Sequence, residues 1–202
     1  MKRGTLLVIS GSSGVGKSTV IREVMSQRPD LYFSVSFTTR EPREGEVNGV
    51  NYNFVTREDF EDRIAKGEFL EYAEYVGNYY GTSMEVIREK LDKGVDVLLD
   101  IEVQGAAKVR EKLPDAVTLF LIPPSFEELS RRLRARGTDS EEKIARRLET
   151  ARREAKEIIH YDYVVVNDTV PHAAEEVLAI LTAAGCRTER RIHLIEEESL
   201  GE

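Results

Sequence analysis

The chain has 202 residues and a formal net charge of −8, with 41% hydrophobic and 33% charged residues. This composition is typical of a folded globular protein and too apolar for general disorder. An acidic chain is a poor candidate for sequence-independent binding of DNA or RNA, because neutralising phosphates requires a basic surface. The single cysteine, Cys186, cannot form an internal disulfide, which favours a reducing compartment. No apolar segment is long enough to cross a bilayer, so we expect a cytoplasmic protein that does not contact membranes.

In chain order, apolar runs alternate with helical patterns. The predicted strands are residues 6–9, 95–101, 117–122 and 163–166, and the predicted helices are residues 15–27, 105–113 and 173–184. Such alternation is typical of an α/β fold in which helices cover both faces of a parallel sheet.

Two segments depart from this alternation. Residues 36–83 carry many aromatic residues and alternating patterns, which predict a small antiparallel or mixed sheet inserted as a lobe. Residues 130–157 contain eight arginines interrupted by a turn before Ser140, which predicts a helix, a turn and a second helix capped by Ser140. We therefore divide the chain into a core (1–35, 84–129 and 158–202), a lobe (36–83) and an arginine-rich segment (130–157).

The run from Gly11 to Ser18 matches the phosphate-binding pattern G-x-x-x-x-G-K-[ST] in full, between a predicted strand and a predicted helix. Glycines let the backbone approach a phosphate closely, and the helix that follows contributes its positive end. Lys17 is expected to contact the β- and γ-phosphates of ATP, and Ser18 to offer its hydroxyl to Mg²⁺. The predicted ATP-binding residues of this loop are Gly11, Ser12, Ser13, Gly14, Val15, Gly16, Lys17, Ser18 and Thr19.

A second apolar strand ends at Asp100, as in the Walker B pattern of P-loop proteins. We predict that this carboxylate lies near Mg²⁺ and contacts it directly or through water. A P-loop defines only a large superfamily of nucleotide-binding proteins, so the second substrate must be read from other residues.

Residues 38–52 read T-T-R-E-P-R-E-G-E-V-N-G-V-N-Y and contain two arginines three positions apart. The guanidinium fork of arginine matches phosphate oxygens, although a solvated basic loop is an equal interpretation of this run taken alone. The run follows the pattern T-T-R-x-P-R-x-G-E-x-x-G-x-x-Y, and G-N-Y-Y-G follows at Gly77 to Gly81. On these motifs the chain resembles the guanylate kinase family, from the P-loop to Asn167 and Asp168.

The resemblance implies transfer of a phosphoryl group from ATP to GMP, on a P-loop core with a five-stranded parallel sheet, a GMP-binding lobe and a helical lid. It implies that Lys17, Arg43, Arg136 and Arg147 act in catalysis, and that Asn167 and Asp168 lie beside the adenine. It implies that GMP is bound by Ser36, Arg40, Arg43, Tyr52, Glu71, Tyr80, Thr82, Asp100 and Glu102. The expected small-molecule partners are ATP and GMP, with dGMP as an open alternative acceptor.

Guanine presents two adjacent N–H donors that one carboxylate, here Glu71, can accept, whereas adenine offers an acceptor at the same edge. Many family members have Asp where this chain has Glu102, so contact with guanine directly and contact through water both stay open. Taken alone, Glu71 could be a surface strand residue, and Tyr79 is better interpreted as packing. Two alternative functions also remain: a scaffold domain that binds peptides, and a kinase for another nucleoside or small molecule.

Overall fold

The computed structural model describes residues 3–135, 137, 139–192 and 194. The core is a five-stranded parallel sheet. Its strands are β1 (Leu6–Gly11), β2 (Tyr32–Phe33), β7 (Val97–Asp100), β8 (Val117–Ile122) and β9 (Tyr163–Val166). They lie in the order β2-β7-β1-β8-β9. The fold class predicted from the sequence is confirmed.

Helices cover both faces of this sheet and connect its strands. They are α1 (Lys17–Gln27), α3 (Met84–Asp92), α4 (Val103–Lys112) and α7 (Val170–Gly185), with a short α8 (Thr188–Arg191) after them. Among the residues that the structure describes, no helix is both long and apolar enough to cross a membrane.

Strand β1 is buried along its whole length, and its side chains alternate between two apolar clusters. Leu7 and Ile9 pack in the cluster that includes residues of α1 and α7, whereas Leu6 and Val8 pack with residues of α3 and α4. Successive side chains of a strand point to opposite faces, so a continuous apolar run is what a sheet covered on both sides requires.

The lobe contains a second, mixed sheet and one helix. Its elements are β3 (Phe37–Thr38), β4 (Asn53–Phe54), α2 (Arg57–Ala65), β5 (Phe69–Tyr75) and β6 (Asn78–Ser83). The strands lie in the order β4-β3-β6-β5. Phe60 of α2 is fully buried, with its ring stacked 4.3 Å from that of Phe69 and 5.1 Å from that of Tyr79. Tyr79 therefore packs the lobe, as its sequence context favours.

The arginine-rich segment contains α5 (Phe126–Ala135) and α6 (Glu141–Glu154), followed by a 3₁₀ helix (Ala155–His160). The Ser140 hydroxyl accepts a hydrogen bond from the backbone N–H of Lys143, so it caps α6 as predicted. The two helices share a small apolar cluster of their own, formed by Leu129, Leu133, Ile144 and Ala151. Helix α5 begins four residues before the predicted boundary at residue 130.

The predicted strands and helices exist, but several ends differ. The strand predicted from residue 95 begins at Val97, and the side chain of Asp96, directly before it, accepts the backbone N–H of Thr5. The helix predicted from residue 173 begins at Val170, since the hydroxyl of Thr169 caps it. Strand β2 has only two residues, too few for any periodicity, and was not among the strands read from the sequence.

Replacing the fully buried Leu98 of β7 by alanine should lower the free energy of unfolding by about 2–5 kcal/mol, through lost apolar burial and the cavity left behind. Urea unfolding followed by circular dichroism measures this change. Val164→Ala on the edge strand β9 is the matched control, because its side chain is largely exposed and its loss should cost no more than about 0.5 kcal/mol. Equal destabilisation by both changes would contradict the assigned core.

Candidate functional site

The phosphate loop runs from the end of β1 into the first turn of α1. Gly14 and Gly16 have φ of 91° and 97°, a left-handed conformation that side chains other than glycine rarely adopt. A Cβ on Gly16 would also lie 2.6 Å from the side-chain amide of Asn167. The loop therefore needs glycine both for its backbone conformation and for close packing against the end of β9.

Lys17 extends from this loop to the ends of β1 and β7. Its ammonium nitrogen lies 2.7 Å from a carboxylate oxygen of Asp100 and 3.5 Å from the carbonyl oxygen of Ile101. Burial opposes the charge of the ammonium group, but Asp100 and Glu102 outweigh it and raise the pKa of Lys17. Lys17 is therefore positively charged at neutral pH and is held at the mouth of the loop.

Two residues distant in the sequence complete the surroundings of the loop. The buried amide of Asn167 donates a 2.7 Å hydrogen bond to the carbonyl of Val15. Arg147 of α6 donates to the hydroxyl of Ser13 at 3.0 Å, and a second nitrogen of the same guanidinium lies 2.6 Å from Asp139. The structure thus brings both predicted residues to the P-loop.

A cleft beside the loop has a volume of about 370 Å³ and is lined in part by Gly16, Thr19, Arg132 and Asn167. The carbonyl of Asp168 accepts a 3.4 Å bond from Arg132, and the Asp168 side chain pairs with His172 at 3.0 Å. Asn167 therefore faces this cleft directly, whereas the carboxylate of Asp168 is directed to His172.

The lobe presents a second basic group, formed around Arg40 and Arg43. Arg40 donates to a carboxylate oxygen of Glu46 at 2.9 Å and to the carbonyl of Glu41 at 2.7 Å. The other oxygen of Glu46 accepts the backbone N–H of Arg43 at 2.8 Å. One carboxylate therefore fixes both the guanidinium of Arg40 and the backbone that carries the exposed side chain of Arg43.

Tyr52 and Tyr80 complete this group. Their rings lie 5.9 Å apart in an edge-to-face arrangement, and the Arg40 guanidinium lies 5.4 Å from the Tyr52 ring centroid. Burial raises the pKa of Tyr52, although the positive charge of Arg40 opposes the rise. Arg40, Tyr52 and Tyr80 therefore form one group within the lobe.

Glu71 lies inside the lobe on β5. Its side chain is buried with an exposed fraction of 6%, and its carboxylate accepts a 2.7 Å hydrogen bond from the buried hydroxyl of Thr82. Burial raises the pKa of Glu71. A buried, partly paired carboxylate is costly unless its remaining acceptor capacity is used, so this arrangement suits a ligand with N–H donors. The alternative that Glu71 is a surface residue is excluded.

The remaining predicted residues differ in burial and in their hydrogen bonds. Ser36 is half-buried directly before β3, and its carbonyl accepts the backbone N–H of Asn53. Glu102 is exposed at the N-terminus of α4, where its side chain makes no capping bond. Ser18 and Thr19 are exposed in the first turn of α1. Arg136 lies outside the described residues.

Sequence reasoning missed two carboxylates of this site, Glu46 and Glu154. Glu154 lies at the end of α6, where one of its oxygens is buried and has no hydrogen-bond partner within the described residues. Burial raises the pKa of Glu154, and the nearby charge of Glu102 raises it further. One signal for Glu46 was present in the sequence, its place as the E of the pattern G-E-x-x-G, and there was none for Glu154.

A complete phosphate loop on a parallel sheet, with an arginine–tyrosine group on an inserted lobe, is the arrangement expected of a P-loop phosphotransferase. The family model of guanylate kinase matches residues 3–184. The chain belongs to the guanylate kinase family, and it is a kinase.

Similar proteins match over more than nine-tenths of the chain. The guanylate kinase of Streptococcus thermophilus (strain CNRZ 1066) is 55% identical over 192 residues, which cover 95% of this chain and 92% of that protein. The guanylate kinase of Streptococcus pneumoniae serotype 4 is 54% identical, with 96% and 94% covered. The crystal structure of guanylate kinase from Anaplasma phagocytophilum superposes with a TM-score of 0.77 at 36% identity, covering 97% of this chain and 94% of that one.

Replacing Glu46 by glutamine should raise the KM for the acceptor nucleotide by about 3- to 10-fold, because one amide oxygen cannot hold both Arg40 and the Arg43 backbone. Steady-state kinetics with varied acceptor and saturating ATP measure the effect, and the KM for ATP should not change. Glu44→Gln, an exposed carboxylate in the same loop, is the control. If both variants gave the same KM, Glu46 would have no role in the clamp.

Proposed function

We propose that this chain transfers the γ-phosphoryl group of ATP to the phosphate of GMP, giving ADP and GDP. The observation that carries the proposal is the buried Glu71–Thr82 pair, in a chain whose phosphate loop is intact and whose Lys17 is paired with Asp100. Family membership supports the same reaction.

The proposed transfer is in line. A phosphate oxygen of GMP forms a bond to the γ-phosphorus of ATP, and the bond between that phosphorus and the oxygen bridging to the β-phosphate breaks. The phosphate of GMP is already anionic at neutral pH, so no general base is required. Catalysis then depends on alignment and charge stabilisation, which fixed arginines and lysines supply.

Lys17 is the proposed cation at the β- and γ-phosphates. In the structure its ammonium group forms an ion pair with Asp100, 2.7 Å away. Phosphates that bind here therefore meet a cation that is already in position. Arg40, Arg43, Tyr52 and Tyr80 are proposed to hold the GMP phosphate at the opposite side of the same space. Arg147, and with it Arg136, would stabilise charge that develops on the transferred group.

Magnesium is proposed to accompany ATP. Mg²⁺ usually binds one or two protein groups together with substrate phosphates and water, rather than an all-protein cage. This suits the residues present: within the described part of the chain, no group of three or more His, Cys, Asp or Glu side chains could hold a metal ion. Ser18 and Asp100 would hold the ion, which would neutralise phosphate charge when bound.

Guanine is the proposed base because of the donor pattern at Glu71. The ionised carboxylate can accept the N1–H and N2–H donors together, whereas adenine would leave it facing an unprotonated nitrogen. Ser36 and Thr82 would satisfy polar atoms at the same edge, and Glu102 would act directly or through water. Because dGMP carries the same base, it is an alternative acceptor.

The scaffold alternative is disfavoured by the phosphate loop itself. A peptide-binding domain has no need for Lys17 paired with Asp100 or for an arginine held on Ser13, and both are present here. The proposed partners are therefore ATP and GMP, and the proposed compartment is the cytoplasm, where both nucleotides are available.

The direct test is ADP formation from MgATP with GMP, AMP, UMP or CMP as acceptor, followed by a coupled spectrophotometric assay. Rapid turnover is expected with GMP alone. Lys17→Met should lower kcat by about 10²- to 10³-fold while GMP binding and urea unfolding stay as in the wild type. A Lys17→Met enzyme within a few-fold of the wild type would refute the assigned phosphate site.

Glu71→Gln tests the choice of base. The amide presents a donor beside guanine N1–H or N2–H, so the preference for GMP over AMP in kcat/KM should fall by about 10-fold or more. The ratio of the two kcat/KM values is the measurement, with thermal unfolding as the check on folding. An unchanged ratio in a folded variant would contradict the role of Glu71.

A further inference from the structure

One face of helix α4 lies against the strand that carries Glu71. Gly105, Lys108 and Lys112 are three and four residues apart, so they lie along the same side of the helix. The ammonium group of Lys108 donates to the carbonyl of Tyr72 at 2.6 Å, and that of Lys112 donates to the carbonyl of Phe69 at 2.9 Å. The two lysines therefore grip the backbone of β5 on both sides of Glu71.

The strand is irregular at this point. The pairing of β5 with β6 shifts register between Phe69 and Glu71. Such irregularities redirect a side chain and leave backbone groups outside the ladder, and they are frequent beside active sites. Lys112 bonds the carbonyl at the start of the shift, so the helix supports the segment that aims Glu71.

Helix α4 also approaches the carboxylate itself. A Cβ on Gly105 would lie 2.9 Å from an Oε2 of Glu71, so any larger residue at this position would displace the carboxylate. Its other oxygen accepts the bond from Thr82. The carboxylate is thus confined between β6 and the backbone of α4.

The lysines also act on the charge of Glu71. Burial raises the pKa of this carboxyl, whereas the hydrogen bond from Thr82 and the charges of Lys108 and Lys112 lower it. Thr82 from β6 and the two lysines from α4 are the polar and charged groups that face it from the elements packed against it. The ionised form, which guanine recognition requires, therefore depends on α4 as well as on the lobe.

We propose that Lys108 and Lys112 are positioning residues for guanine recognition, which fasten β5 to the core helix α4 and hold Glu71 ionised and correctly aimed. This inference rests on the proposed function, because it assigns Glu71 to the base of GMP. It adds that selection of the base is controlled from the core and not by the lobe alone.

Lys108→Met should weaken GMP binding about 3- to 10-fold at neutral pH, with the affinity for ATP unchanged. The sign of the pH effect follows from the charge removed. Without Lys108, the pKa of Glu71 rises, so the carboxylate becomes protonated earlier as the pH falls. The acidic limb of the pH profile, where the affinity for GMP falls as the pH is lowered, should therefore move to higher pH. Isothermal titration calorimetry with GMP and, separately, with ATP over a pH series measures both effects.

Matched variants separate this role from a general loss of stability. Lys108→Arg keeps the charge and the donor and should restore the wild-type pH profile. Lys112→Met should shift the profile in the same direction as Lys108→Met and serves if the first variant does not fold. Lys93→Met removes an exposed lysine that pairs with Glu89 and should leave the profile unchanged.

An unchanged acidic limb in folded Lys108→Met and Lys112→Met would overturn the inference, as would an equal loss of affinity for GMP and ATP. Failure of the wild type to bind or phosphorylate GMP would refute the proposed function itself. The two failures are therefore distinguishable, because one concerns the wild type and the other only the lysine variants.

Discussion

The parallel pairing of β1 with β7 is the constraint on which the rest of the site depends. Its register sets Ile9 opposite Asp100, so both strands end at the same edge of the sheet. The chain leaves β1 through the phosphate loop at this edge, and Lys17 therefore reaches Asp100. The hydroxyl of Ser10 joins the same two strands by bonding the carbonyl of Ile101. Because ligands of open α/β sheets bind outside the carboxyl ends of the strands, this edge is where we expect the proposed substrates to meet.

Three of the cations assigned to phosphate are already paired with a carboxylate. Lys17 forms an ion pair with Asp100, Arg147 with Asp139 and Arg40 with Glu46. A chain with a net charge of −8 can therefore place cations at its proposed phosphate sites with carboxylates beside them. The carboxylates hold the cations in position before a ligand arrives, so less conformational freedom is lost on binding. They also weaken the attraction for phosphate, which favours exchange of substrates and products over very tight binding.

The sequence was sufficient for the parts of the molecule that follow from local patterns. The buried strands, the glycines of the phosphate loop and the Ser140 cap each depend on residues close together in the chain, and the structure contains them. Strand β2 was not read because two residues carry no periodicity. Glu46 and Lys108 were missed for another reason. Glu46 accepts the backbone N–H of Arg43, and Lys108 donates to the backbone carbonyl of Tyr72. The tertiary fold sets the position of such backbone groups, and no residue type marks them in the sequence.

If Glu71 recognises the base as proposed, its burial makes that recognition depend on the architecture of the lobe. A carboxylate in water would lose little by facing the wrong base, because solvent would satisfy it. Inside the lobe the same mismatch leaves a charge without a partner, so discrimination grows with burial. Burial, however, also favours the neutral acid, which guanine recognition cannot use. The lobe therefore needs positive charge near Glu71 that does not fill the pocket. Lys108 and Lys112 of α4 supply this charge. Their ammonium groups bond backbone carbonyls of β5 and not the carboxylate itself.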